Sequence, residues 1–90
     1  MLTLRYTPKA LDDLQDIKTY IALQFGTDRA GTILKQITTS AKQLEKFPKE
    51  GPRLEGLIDY PTEYRYLVVR KNYIIYRIEG EIVKVIRILN

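Results

Sequence analysis

The side chains best suited to chemistry lie in the last third of this sequence. Arg65, Arg70, Lys71, Arg77, Lys84 and Arg87 alternate there with Tyr64, Tyr66, Tyr73 and Tyr76. Arginine and lysine neutralise phosphates, and tyrosine stacks on unpaired bases. The same residue types also dominate the hot spots of protein interfaces. Charge distribution singles out this region as well. Residues 1–63 hold nine Lys/Arg and nine Asp/Glu, whereas residues 64–90 hold six basic and two acidic residues, which accounts for the whole net charge of +4. A neutral front and a basic back point to a polyanion or an acidic partner at the back.

Other chemistry is excluded by what the chain lacks. It has no histidine and no cysteine. That removes the usual general base, the Ser-His and Cys-His nucleophile systems, disulfides and thiolate zinc sites. A length of 90 residues predicts one domain, spanning 1–90. No run approaches the roughly 20 apolar residues that span a bilayer. Met1–Arg5 has neither the charged nor the apolar region of a secretory signal. The expectation is a cytoplasmic protein with no membrane contact, no cofactor and no metal.

Few elements are available to position the basic residues. Leu2–Tyr6 alternates apolar and polar side chains, which predicts a short strand. Thr7 then caps a helix that opens with Pro8, a favoured first residue because its missing N–H has no partner there. Ala10, Leu14, Ile17 and Ile21 form the helix's apolar stripe. Asp12, Asp13 and Asp16 suit its positive end, and Gly26 ends it. Thr27 or Asp28 caps a second helix with the stripe Ala30, Ile33, Ile37, Ala41 and Leu44. Pro48 stops it. The short joint predicts an antiparallel helical hairpin. Residues 48–63, with Pro48, Gly51, Pro52, Gly56 and Pro61, read as a loop with room for one helical turn. Tyr64–Val69, Tyr73–Ile78 and Glu81–Leu89 are rich in β-formers. The predicted fold is α+β, in the order β-α-α-β-β-β, with the hairpin packed on a small, mainly antiparallel, twisted sheet.

A two-residue turn at Glu79-Gly80 pairs Ile78 with Glu81, Tyr76 with Val83 and Ile74 with Val85. These face the helices. Tyr73, Ile75 and Arg77 share the open face with Ile82, Lys84 and Ile86, and a one-residue slip would invert both faces. The preceding hairpin has two readings. A turn at Lys71-Asn72 adds Tyr64, Tyr66 and Arg70 to the open face, while a turn over Arg70-Lys71-Asn72 adds Arg65 and Leu67 instead. Either way a Tyr/Arg surface results, with Tyr73 and Arg77 at its centre and Tyr76 in the core.

Four stretches resemble the RelE/ParE toxin superfamily, which includes plasmid stabilisation proteins. They are Thr7–Leu14 with Ile17 and Tyr20-Ile21, Leu44–Gly51, Tyr64-Arg65 with Asn72–Ile78, and Val85–Leu89. Together they span nearly the whole chain in the family's order. The resemblance implies the toxin of a type II toxin–antitoxin pair that inhibits growth. A cognate antitoxin would wrap it, and operator DNA would be met only through that complex. A homodimer is compatible with the fold.

The family has two targets. RelE-like members cut mRNA on the translating ribosome, and ParE-like members poison DNA gyrase. On the first branch the candidate catalytic residues are Arg65, Tyr73, Arg77 and Arg87. However, Leu67 occupies a basic position of that branch, Tyr73 stands where it has a catalytic arginine, and the sequence stops at Asn90 where many relatives carry a polar tail. The resemblance therefore leans to the gyrase-directed, non-enzymatic kind. The alternatives are a ribosome-dependent endoribonuclease and a degenerate toxin that only binds antitoxin. The expected target-binding set is Arg65, Arg70, Lys71, Tyr73, Arg77, Lys84 and Arg87.

Overall fold

A computed structural model describes all of residues 1–90. The elements run β1 (Thr3–Tyr6), α1 (Pro8–Phe25), α2 (Thr27–Gln43), β2 (Arg65–Val69), β3 (Asn72–Glu79) and β4 (Ile82–Leu89), with one 3-10 turn at Leu54–Gly56. The sheet order is β1-β4-β3-β2, with β1 parallel to β4 and both other pairs antiparallel. This is the predicted α+β, mainly antiparallel architecture, with the parallel pairing of β1 and β4 added by the structure. No helix is long and apolar enough to cross a membrane.

Local chemistry accounts for the element ends. The Thr7 hydroxyl accepts from the Ala10 amide at 3.0 Å, and Pro8 follows it into α1. Gly26, at φ 95°, both closes α1 and opens α2. Neither Thr27 nor Asp28 caps α2 with its side chain, and Thr27 is already helical. A glycine that turns the chain this sharply is the single residue between the helices. All five residues of the α2 stripe are buried, together with Ala10, Ile74, Tyr76, Val83, Val85 and Ile88. Leu14, Ile17 and Ile21 pack against them from α1.

Two turns depart from the expected register. The β3–β4 turn is Gly80-Glu81, so Ile78 pairs with Val83, Tyr76 with Val85 and Glu79 with Ile82. The register moves by two residues and the faces survive, because side chains alternate with period two. The β2–β3 turn is Arg70-Lys71, both at positive φ (52° and 67°), and matches neither expected turn. It is a two-residue turn of the mirror-image kind that fits the twist of a hairpin. Tyr66 pairs with Ile75 and Val68 with Tyr73, which puts Tyr66 on the open face.

A bulge interrupts β4. Tyr76 pairs with Val85 and Ile75 with Arg87, which leaves Ile86 without a partner on β3. Beyond the bulge the alternation resets, and Ile88 rather than Arg87 enters the core.

Candidate functional site

The open face of the sheet is built from β2, β3 and β4. Tyr66 and Tyr73 lie with ring centroids 5.7 Å apart and planes tilted by 41°. The Arg77 guanidinium sits over the Tyr64 ring, 5.9 Å from its centroid. Arg77 also donates to Glu79, and Lys84, its cross-strand neighbour, lies 3.7 Å from the same carboxylate. The result is an aromatic strip that ends in a cluster of two cations and one anion.

Glu79 controls the electrostatics of that cluster. Its hydrogen bond from Arg77 holds the carboxyl below the usual range, against the opposing effect of desolvation. The same bond raises Arg77 above its ordinary value. Both groups are thus locked in their charged forms. A residue that must give or take a proton works best with a pKa near the ambient pH, and both shifts run the other way. No three His, Cys, Asp or Glu side chains converge closely enough to hold a metal ion.

The seven expected target-binding residues divide into three groups. Tyr73, Arg77 and Lys84 share the open face. Arg70 and Lys71 sit at the hairpin tip beside the helices, where Arg70 donates to Gln36 at 2.6 Å. Arg65 and Arg87 are engaged within the fold. Arg65 pairs with the buried Tyr76 and donates to the Gly51 carbonyl at 2.9 Å. Arg87 donates to both oxygens of Asp13, at 2.7 and 2.9 Å. The set is not one continuous patch.

Asp13 and Glu79 are the residues that sequence reasoning placed elsewhere. The first turn of α1 holds no acidic residue, so Asp13 does not serve the helix dipole as expected; it binds Arg87. It also accepts from the Ile88 amide at 2.9 Å. Beyond Val85, strand β4 has no neighbour on the β1 side, because β1 ends at Tyr6. There the Thr7 hydroxyl donates to the Ile86 carbonyl at 2.8 Å and Asp13 takes the Ile88 N–H. Two side chains from the start of α1 thus continue the pairing that β1 gives up. Glu79, read as part of a turn, is the last residue of β3. Its one sequence signal is Arg77, two residues back and therefore on the same face.

The family model described as the ParE toxin of the type II toxin-antitoxin system, parDE, matches residues 4–90. No curated protein sequence matches the chain. Among solved structures, a chain from the chromosomal ParDE TA system of P. aeruginosa superposes with a TM-score of 0.84. It is 22% identical, and the alignment covers 100% of this chain and 96% of that one. At that identity the likeness speaks for the fold.

Proposed function

Because the chain belongs to the ParE toxin family of type II toxin–antitoxin systems, we propose that it inhibits growth in the cytoplasm by protein contact with DNA gyrase. A cognate antitoxin is its natural partner. The observation that carries the reading is the Arg77–Glu79–Lys84 cluster. A nucleic-acid surface keeps its cations free for phosphates. Here one carboxylate already serves two of the three open-face residues. The charge pinning of Glu79 and Arg77 also argues against proton transfer on this face. What the face offers is tyrosine, aliphatic side chains and an arginine stacked on a ring, a composition suited to a protein hot spot.

The test compares the two family targets directly. The purified chain is added to a gyrase supercoiling reaction and, separately, to translating ribosomes with a labelled mRNA. Loss of supercoiling with intact mRNA is the expected outcome. Ribosome-dependent cleavage with normal supercoiling would instead assign the endoribonuclease activity. Inertness in both assays would leave an antitoxin-binding module.

A further inference from the structure

Five of the exposed large apolar side chains form two patches at opposite ends of the β2 direction, and the patches carry opposite charge. At the hairpin end, a cleft of about 340 Å³ lies between the α1–α2 tip and the Arg70-Lys71 turn. Tyr20 and Phe25 line it while 64% and 69% exposed. Arg29, Arg70 and Lys71 also line it, and no acidic side chain does. Arg29 and Lys71 take part in no ion pair.

The other patch is the loop that leads into β2. Leu57, Ile58 and Tyr60 stand 53%, 44% and 71% exposed, alongside Asp59 and Glu63. Neither of those two acids is in an ion pair. The loop is not loosely attached. At its base Arg53 donates to Glu55 at 2.9 Å and to the Thr62 carbonyl at 3.1 Å, and the Thr62 amide reaches back to Glu55 at 3.4 Å. This clamp closes the loop and holds its apolar tip in solvent. Apolar side chains held out on a closed loop lose little further entropy on docking, which favours association.

We propose that two copies of this chain associate by seating the acidic, apolar loop of one copy, residues 57–63, in the basic aromatic cleft of the other. Charge complementarity selects this occupant. The cleft has three cationic and no acidic side chains, and the loop segment has Asp59 and Glu63 and no cationic side chain. Each side brings an aromatic residue and aliphatic neighbours to the contact, the usual anchors of an interface centre. When both loop–cleft pairs form at once the interface is isologous and closes as a two-fold dimer; a single loop–cleft contact is head-to-tail and propagates.

Charge reversal in both partners gives a decisive test by sedimentation velocity on the full chain. Wild type is expected to gain mass with concentration up to about 100 µM, a range that reveals even weak contacts. The gain should shrink in high salt, since about 1 M salt shortens electrostatic reach to roughly 3 Å. Arg29→Glu with Lys71→Glu should be monomeric, and so should Asp59→Lys with Glu63→Lys, each with the wild-type circular dichroism spectrum. An equimolar mixture of the two variants restores attraction at both loop–cleft pairs. It should recover association at least about tenfold over either variant alone. A monomeric wild type, or a mixture that stays monomeric, overturns the proposal. So does a monomeric wild type whose cleft variant fails to bind antitoxin, because the cleft then belongs to that partner.

Discussion

The Tyr76 hydroxyl joins the buried face of β3 to the loop after α2: it accepts from the Gly51 amide at 3.0 Å and donates to the Pro48 carbonyl at 2.8 Å. Tyr76 is fully buried; the bond from Gly51 forms away from water and the bond to Pro48 is partly buried. Gly51 is required there by space rather than by conformation. A Cβ at that position would lie 2.3 Å from the Tyr66 carbonyl oxygen and 2.7 Å from the Tyr76 hydroxyl. The first of these neighbours is strand backbone and cannot move aside.

Tyr76→Phe keeps the ring and strands the Gly51 N–H and the Pro48 carbonyl. Leaving a buried polar group unpaired costs about 1–3 kcal/mol. For a domain of this size, each 1 kcal/mol lowers the melting midpoint by roughly 4–8 °C. Gly51→Ala should be at least as damaging, because it must push the loop off β2. A calorimetric scan of each variant checks both values. A midpoint unchanged in Tyr76→Phe would show that water reaches the hydroxyl.

The role of Gly51 illustrates which parts of the molecule were legible in the sequence. Helix stripes, element order and the two sheet faces follow from periodicity, because burying an apolar face is a property of every residue in an element. Tyr76 fell on the core face for that reason. The turns were displaced because Arg70-Lys71 adopts a conformation that Asn-Gly would advertise and Arg-Lys does not. The pairing of Arg87 with Asp13 was missed for another reason. Strict alternation gives no sign of a bulge, and its partner Asp13 is 74 residues away. Contacts at that separation are decided by packing, on which local pattern is silent.

Acid should weaken the fold through Asp13 and Glu45. The hydrogen bond from Arg87 holds Asp13 below its ordinary value of 3.8, opposed by desolvation and helped by the Ile88 amide. The Leu4 amide, at 2.8 Å, and then Lys42 hold the buried Glu45 below 4.5. Both carboxyls are easier to deprotonate folded than unfolded. Their contribution is therefore complete above about pH 5 and is lost as pH falls through the unfolded values near 4 and on to the folded ones. Unfolding free energy measured by denaturant between pH 7 and 3 should decline over that window. In Asp13→Asn the decline should be shallower and the stability at pH 7 lower. An equal slope in the variant would mean that Asp13 has an ordinary pKa.

Arg77→Ala tests the open face. Its partners are a partly exposed tyrosine ring and a partly exposed carboxylate, so the melting midpoint should stay close to wild type, as it does when surface pairs are removed. Growth inhibition on antitoxin-free expression should fall. Tyr73→Ala should act the same way on growth and cost about 1 kcal/mol more in stability, through the lost pairing with Tyr66. Full toxicity in the double variant would move the target contact off this face.

The β2–β3 turn offers a prediction that separates stability from association. Arg70 and Lys71 both occupy positive φ. That region costs most side chains roughly 1–2 kcal/mol each, while asparagine and glycine tolerate it. Arg70→Asn with Lys71→Gly should therefore stabilise the fold, even after the bond from Arg70 to Gln36 is lost. A net gain of about 1 kcal/mol would raise the midpoint by roughly 4–8 °C. The same change strips two of the three cations from the cleft. If these residues are retained there for binding, the more stable variant must be the poorer associator, and sedimentation velocity should find it monomeric where wild type is not. A variant that is both more stable and equally associated would mean that Arg29 alone supplies the charge the loop meets. A variant that is less stable would mean that the Arg70–Gln36 bond outweighs the strain it accompanies.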